Sequence, residues 1–265
     1  MNTQKTIALQ AKESLKSNWV IFITVILFIF TVVIGLNSLE NIFLLAFNLI
    51  DTTTGEPKSG YDTYVLIADC ALLGSLFLVT PLINGVFRLA YMISNNTKPQ
   101  FSDTFFYFKG FKKYFKTILL NLFLGLVVTA CIFAFDFSYA VNPIIDALFT
   151  NTNETGALVT EAILNLLFIT ISFFLSSFFY LLFLNYPLFL YADNHDRSVF
   201  YCLGKGIAMG FRNFGKSLKL FFHFFGWIAL CFFVVTAFYV LPYIMVSFAN
   251  SAKWLISLNK GRNDI

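Results

Sequence analysis

The run WVIFITVILFIFTVVIGL, residues 19–36, decides how this chain is read, because its eighteen residues include no charge. Eighteen residues at about 1.5 Å of helical rise nearly match a hydrocarbon core about 30 Å thick. A helix that is apolar all round has no face to offer water, so it belongs in a bilayer or in a large core. Lys5, Lys12 and Lys16 precede the run, as basic residues precede the centre of a secretory leader. The run is long for a leader, however, and it ends in Gly35, Leu36, Asn37 and Ser38 without a small-x-small cleavage pattern. It reads as a first spanning helix.

Composition says the same of the whole chain. Of 265 residues, 58% are hydrophobic and 12% charged, and the mean hydropathy is +0.76. A soluble domain covers its surface with about 25% charged residues, so a water-solvated fold is excluded. The 36 Phe, 12 Tyr and 3 Trp suit lipid contact and interface belts and exclude disordered or collagen-like readings. Cys70, Cys131, Cys202 and Cys231 have no CxxC spacing, which implies neither a disulfide framework nor a metal site.

Further apolar runs cover 64–92, 117–135, 162–190 and 218–258. As one helix the last would be roughly 60 Å long, twice the bilayer core, so it is expected to fold back. Pro242 suits the first turn of a returning helix, where its missing N–H costs nothing, which places the turn near 236–241. The expectation is an all-α polytopic integral membrane protein. It has about six transmembrane helices (19–36, 64–92, 117–135, 162–190, 218–236 and 241–258) and amphipathic interfacial helices on the cytoplasmic side. An amphipathic helix over 1–18 leads in, one transmembrane domain spans 19–258, and 259–265 is a short cytoplasmic tail.

Loop charges bear on the count independently, since orientation follows the Lys and Arg content of short loops. Residues 37–63 hold only Lys58, and 136–161 hold Asp136, Asp146, Glu154 and Glu161 with no base. The alternate segments hold Lys98, Lys109, Lys112, Lys113 and Lys116, then Arg197, Lys205, Arg212 and Lys216, then Lys253, Lys260 and Arg262. Basic segments inside put both termini in the cytoplasm of a bacterial plasma membrane, which requires an even number of spans.

The basic segments also carry apolar residues at helical spacing. Phe101, Phe105, Phe108, Phe111 and Phe115 mark one face, Lys109, Lys112, Lys113 and Lys116 gather toward the end, and Ser102 and Asp103 supply capping oxygens. Two readings fit. The helix lies among headgroups with its ammonium groups on anionic phosphates, each lysine adding about 1 kcal/mol, or it is a positive-inside signal packed on neighbouring helices. In the N-terminal stretch Ile7, Ala11 and Leu15 oppose Lys5, Lys12 and Lys16, with Trp19 at the membrane entry. Residues 196–216 repeat the theme more weakly, because Gly204, Gly206 and Gly210 lower helix propensity while Val199, Leu203, Ile207 and Phe211 line up.

An internal echo joins the two long basic segments. Phe111, Lys112, Tyr114, Lys116 and Thr117 match Phe211, Arg212, Phe214, Lys216 and Ser217, and upstream Pro81-Leu82 matches Pro187-Leu188. Units over 64–135 and 162–236 that point the same way form a parallel repeat.

The chain resembles the bacterial integral-membrane family called domain of unknown function 975, related to YciC-like proteins. The likeness rests on Ala11-Lys12, Leu15-Lys16 and Trp19; on Phe101-Ser102-Asp103, Phe108-Lys109 and Phe111-Lys112; on Ala192-Asp193-Asn194; and on Gly226-Trp227 and Pro242-Tyr243-Ile244. It covers most of the chain. The family's basic run before the fifth span is thinner here, at Gly204-Lys205-Gly206, and the outer loops are longer. The resemblance implies six spans and supplies no activity.

Ionisable groups at membrane depth are the natural functional candidates. Asp69 lies at the outer interface of its span, and Arg88, near the inner end, reaches for phosphates. His223 is either a packing histidine or a titrating one. Asn84, Asn121, Asn165 and Asn185 hold helices together, at about 0.6 kcal/mol per contact, or line a hydrated path. Asp193, Asn194, His195, Asp196 and Arg197 place carboxylates beside an imidazole, as acid-base chemistry needs, but such residues also end one helix and cap the next. No GxxxxGK[ST], HExxH, GxSxG or Rossmann fingerprint is present, so no cofactor is expected.

The expected activity is non-enzymatic. Lys109, Lys112, Lys113, Lys116, Arg212 and Lys216 engage anionic lipid, and the protein supports envelope homeostasis or a partner membrane complex, itself or another. The alternative is a small permease or channel with a path between the repeat halves. Nucleic acid is not an expected partner, since a membrane already supplies phosphates to the basic clusters.

Overall fold

The structure, a computed structural model, describes residues 3–49, 61–134, 175, 178–180, 184–230 and 234–263. Among these residues there are eight α-helices, one 3-10 helix and no strand. The helices are α1 (Thr3–Leu15), α2 (Trp19–Ala46), α3 (Tyr61–Ser94), α4 (Phe111–Ala134), α5 (Asn185–Asp193), α6 (Val199–Arg212), α7 (Phe214–Leu230) and α8 (Val234–Asn263), with the 3-10 helix at Phe101–Phe108. Trp19–Ala46, Thr63–Ser94 and Phe111–Ala130 are long and apolar enough to cross a membrane. Their outward faces carry exposed Leu27, Phe30, Ile34, Leu66, Leu72 and Leu126, which only an apolar solvent accommodates.

Helix α3 is the hub, packing against α2, the 3-10 helix, α8, α5 and α4. Its length follows from the sequence: 34 residues without a breaker except Pro81, closed at Asn96, whose φ of 58° is the left-handed cap that asparagine tolerates. Pro81 removes the donor owed to the carbonyl of Phe77, and the Tyr114 hydroxyl of α4 donates to that oxygen instead, at 3.0 Å. Helix α5 runs beside α3 in the same direction, with Phe87 against Phe189 at 5.0 Å and Tyr91 hydrogen-bonded to Asp193 at the same sequence offset.

Two close approaches fix the connecting helices. The 3-10 helix crosses α3 at Gly85, where a Cβ would lie 2.9 Å from Thr104 Cα and nearer still to the Thr104 carbonyl. Helix α6 crosses α5 at Gly206, where a Cβ would lie 2.5 Å from the backbone nitrogen of Pro187. Each crossing therefore has no room for a side chain.

Several expectations are corrected. Residues 101–116 are not one amphipathic helix: Gly110, at φ 123°, breaks the chain between the 3-10 helix and α4. The capping oxygen comes from Asp103, which accepts from the Gln100 N–H at 2.8 Å as the third residue of its helix. Helix α6 only partly buries Leu203 and Ile207, which pack against the core, and leaves Phe211 exposed. It buries Val199, Cys202, Gly206, Met209 and Gly210, because the glycines permit the crossing with Pro187 and turn that side inward.

The turn placed at 236–241 is also displaced. Helix α7 ends at Leu230, α8 begins at Val234, and Pro242 lies inside α8. The pair is antiparallel, since Lys216 meets Trp254 at one end and Trp227 meets Tyr239 at the other. An interior proline costs about 3 kcal/mol. Packing of Val240, Tyr243, Ile244 and Val246 outweighs that at roughly 1.5–3 kcal/mol for a fully buried side chain.

The span expected over 162–190 lies mostly outside the described residues; α5 is its final part. The tail expected over 259–265 is helical as far as Asn263. Helix α1 sets Ala8, Ala11 and Leu15 against the protein, mainly α8.

Gly206→Ala should destabilise the detergent-solubilised protein by about 1–3 kcal/mol through overpacking. Gly204→Ala on the open side of the same helix, with nothing within 4 Å of its Cβ, should be neutral or stabilising by up to about 1 kcal/mol. Equal effects in thermal melts would contradict the crossing.

Candidate functional site

One cluster of polar residues lies where α3, the 3-10 helix, the start of α4 and the end of α5 meet. Phe106 stands at the centre. Arg88 places Cζ 3.7 Å from its ring centroid, Lys113 places Nζ 4.2 Å from the same centroid, and the His195 ring meets it edge-on at 5.2 Å. Cation–π contacts of this kind are worth about 0.5–2 kcal/mol each, rising with desolvation. Beside Phe106, Tyr107 is fully buried and stacks on Tyr191 at 5.3 Å, and the Tyr191 hydroxyl donates to the Lys113 carbonyl at 3.2 Å.

The turn after α5 is held from several sides. Asp193 accepts from the Tyr91 hydroxyl at 2.7 Å and from Arg197 Nη2 at 2.9 Å, while Arg197 Nη1 donates to the Leu190 carbonyl at 3.2 Å. Lys116 Nζ donates to the carbonyls of His195, Asp196 and Arg197 at 3.4, 3.0 and 3.0 Å. An ammonium has three donors, so this one is fully used. Asn194 Oδ1 accepts from the Asp196 N–H at 2.9 Å, and Ser198 caps α6 by accepting from the Tyr201 N–H at 3.2 Å. The Asp193 to Arg197 cluster thus ends one helix and leads into the next, and its first carboxylate is engaged in structure.

Charge is unevenly matched here. Asp193 answers Arg197, and Asp196, whose side chain is 86% exposed, lies 3.8 Å from His195 Nε2. Among the described residues neither Arg88 nor Lys113 has an ion-pair partner. Burial against its neighbours, and then the charge of Lys113, hold the His195 imidazolium below its ordinary range. Arg88 Nε, Tyr107 OH, Thr104 Oγ1 and Asn84 Oδ1 are buried without a hydrogen-bond partner among the described residues. Burial pushes the Cys202 thiol up to about 11, so it behaves as a packing group and not a nucleophile.

The structure sorts the sequence candidates. Lys109, Lys112 and Arg212 are exposed, Lys113 and Lys116 turn inward, and Lys216 sets its ammonium 4.2 Å from the Trp254 ring. Asn84 and Asn121 donate to the carbonyls of Thr80 and Thr117, one turn back in their own helices, at 3.0 and 2.9 Å. Asn185 lines an apolar cavity of about 450 Å³ between α2, α3, α5 and α8 that neither of those amides reaches. Asn165 lies outside the described residues. Asp69 faces Glu40 across a shallow pocket between α2 and α3, and exposed His223 contacts Phe224 at 5.2 Å.

Sequence reasoning missed Phe106, Tyr107, Tyr91 and Tyr191. Phe106 and Tyr107 fall off the three-and-four spacing of an α-helix. In a 3-10 helix positions three apart eclipse, which puts Thr104 and Tyr107 on one buried face.

Asp193→Asn should lower stability by about 1–3 kcal/mol, because it leaves the Arg197 guanidinium short of a charged acceptor. Adding Arg197→Gln should cost less than it does alone, a coupling readable from a thermal-melt double-mutant cycle. Acid should also weaken the fold. With the folded-state value of His195 depressed, the unfolded chain binds more protons as pH falls below about 6.5, so stability is full above that point and declines beneath it. His195→Gln should flatten that decline; an unaltered slope would show that His195 does not contribute.

No protein-family model, curated protein or solved structure matches this chain.

Proposed function

We propose that this chain is a multi-pass protein of the bacterial plasma membrane, with about six spans and both termini cytoplasmic, whose basic end engages anionic lipid. It acts without catalysis, in support of envelope homeostasis or a partner membrane complex. One observation carries the lipid part: exposed bases and exposed aromatic rings alternate at the junctions into α4 and α7. Phe111 is 82% exposed beside exposed Lys109 and Lys112, and Phe211 is 57% exposed beside exposed Arg212. Rings at that position suit the acyl boundary and bases suit the phosphates above it. The same two-residue phrase occurs in both halves of the internal echo, which gives the protein two such footholds.

The six-span count is supported by the three apolar helices, the antiparallel α7 and α8 pair, and the alternation of basic and acidic loops. The permease reading has less support, since Asn84 and Asn121 bond within their own helices and the cavity beside Asn185 is apolar.

The test is native mass spectrometry of the protein extracted in mild detergent. Anionic phospholipid should be enriched over zwitterionic among retained lipids, and a Lys109→Ala, Lys112→Ala, Arg212→Ala variant should lose about 2–3 kcal/mol of that preference, near 1 kcal/mol per charge. Equal retention of both lipid classes by the unaltered protein would refute the reading.

A further inference from the structure

Three nitrogen-bearing side chains gather on the Phe106 ring. Arg88 comes from α3, Lys113 from α4 and His195 from the turn after α5, so three separate elements deliver cationic or hydrogen-bonding nitrogens to one aromatic ring. Lys116 and Arg197 lie alongside but are committed, to three carbonyls and to Asp193. Counting Arg88, Lys113, Lys116 and Arg197 against Asp193 and Asp196 leaves two positive charges in excess before His195 is protonated. Holding like charges together in a half-buried place raises the energy of the empty arrangement, and an oxyanion relieves it. Arg88 offers a planar fork and Lys113 a point charge, the two donor types that phosphate oxygens accept. On the next residue, the Tyr107 hydroxyl is completely buried and has no hydrogen-bond partner among the described residues.

We propose that Arg88, Lys113 and His195 form a binding site for a phosphate oxyanion at the Phe106 ring, reached from the basic end of the bundle. The inference deepens the lipid reading and rests on it for where the ligand comes from. A phosphate monoester or diester headgroup and free inorganic phosphate present the same oxygens, and the two sources differ only in what is attached behind them. The site is distinct from the exposed belt of Lys109, Lys112 and Arg212, because its nitrogens converge from three elements and do not spread along a surface.

The test uses the full chain in nanodiscs of phosphatidylcholine, at constant ionic strength, with histidine labelled for NMR and His223→Gln used to assign His195. Inorganic phosphate and dioctanoyl phosphatidic acid are titrated separately, with chloride as the reference anion. The groups facing His195 are Arg88, Lys113, Lys116 and Asp196, so a bound dianion should raise its titration midpoint by about one pH unit, a tenfold change in proton affinity. Arg88→Gln and Lys113→Gln should each weaken binding about tenfold, as expected for loss of a charge-assisted hydrogen bond; Lys98→Gln, an exposed lysine outside both the site and the lipid belt, should leave it within about twofold, as a screened surface charge does. A response to phosphatidic acid alone assigns the lipid source, and a response to both assigns a site open to free phosphate. Overturning results are no shift with either probe, or equal weakening by Lys98→Gln and Lys113→Gln. Such a result with anionic-lipid retention intact removes this site and leaves the exposed belt standing; loss of that retention as well removes both.

Discussion

The contact on which the basic end depends is the ammonium of Lys116 bound to three successive carbonyls, those of His195, Asp196 and Arg197. A turn between two helices leaves carbonyls without intrahelical partners. Lys116 satisfies them from another helix. Once the turn is fixed, Arg197 can reach back to Asp193 and Leu190, Asp193 can take the Tyr91 hydroxyl, and His195 comes to rest against Phe106. First and second halves are thereby joined by charge-assisted bonds and not by greasy contact alone, which matters where lipid tails compete equally for apolar surface.

The helical class and the three long apolar helices were legible. Runs such as 19–36 announce themselves because an uncharged stretch of that length has only one comfortable solvent. The regular spacing of Phe101, Phe105 and Phe108 also marked a real face, since Phe105 touches both of the other rings and Phe28 meets Phe101 and Phe105. What spacing could not reveal was the pitch. A 3-10 segment and a glycine at positive φ interrupt a pattern that reads as a continuous α-helix, and only the backbone shows it. In α6 the glycines were counted as weak points, whereas their lack of side chains is what brings that surface into contact. Pro242 misled for a similar reason, because tertiary packing overrode a local preference. Roles of the lysines were the least legible, since Lys112 and Lys113 are neighbours in sequence and only the helix rotation sends one outward and the other to Phe106.

The two halves solve one packing problem from opposite directions. Each brings a short helix across a proline-bearing helix with no side chain between them. In the first half the glycine belongs to the long helix, at Gly85, and in the second to the crossing helix, at Gly206. Equivalent sequence positions therefore need not carry equivalent residues, which is one reason the echo between the halves is faint.

The bond from Tyr114 to the carbonyl that Pro81 leaves open reaches beyond its own site. If α4 swivelled about its axis, that oxygen would lose its donor, so the bond fixes the rotation of α4 against α3. Phe214, the counterpart of Tyr114 in the second half, has no hydroxyl, and α7 is joined to α5 instead through the Ser217 and Tyr186 hydroxyls, 2.6 Å apart. Each half therefore has its own latch, and a rotation of either α4 or α7 breaks one hydrogen bond.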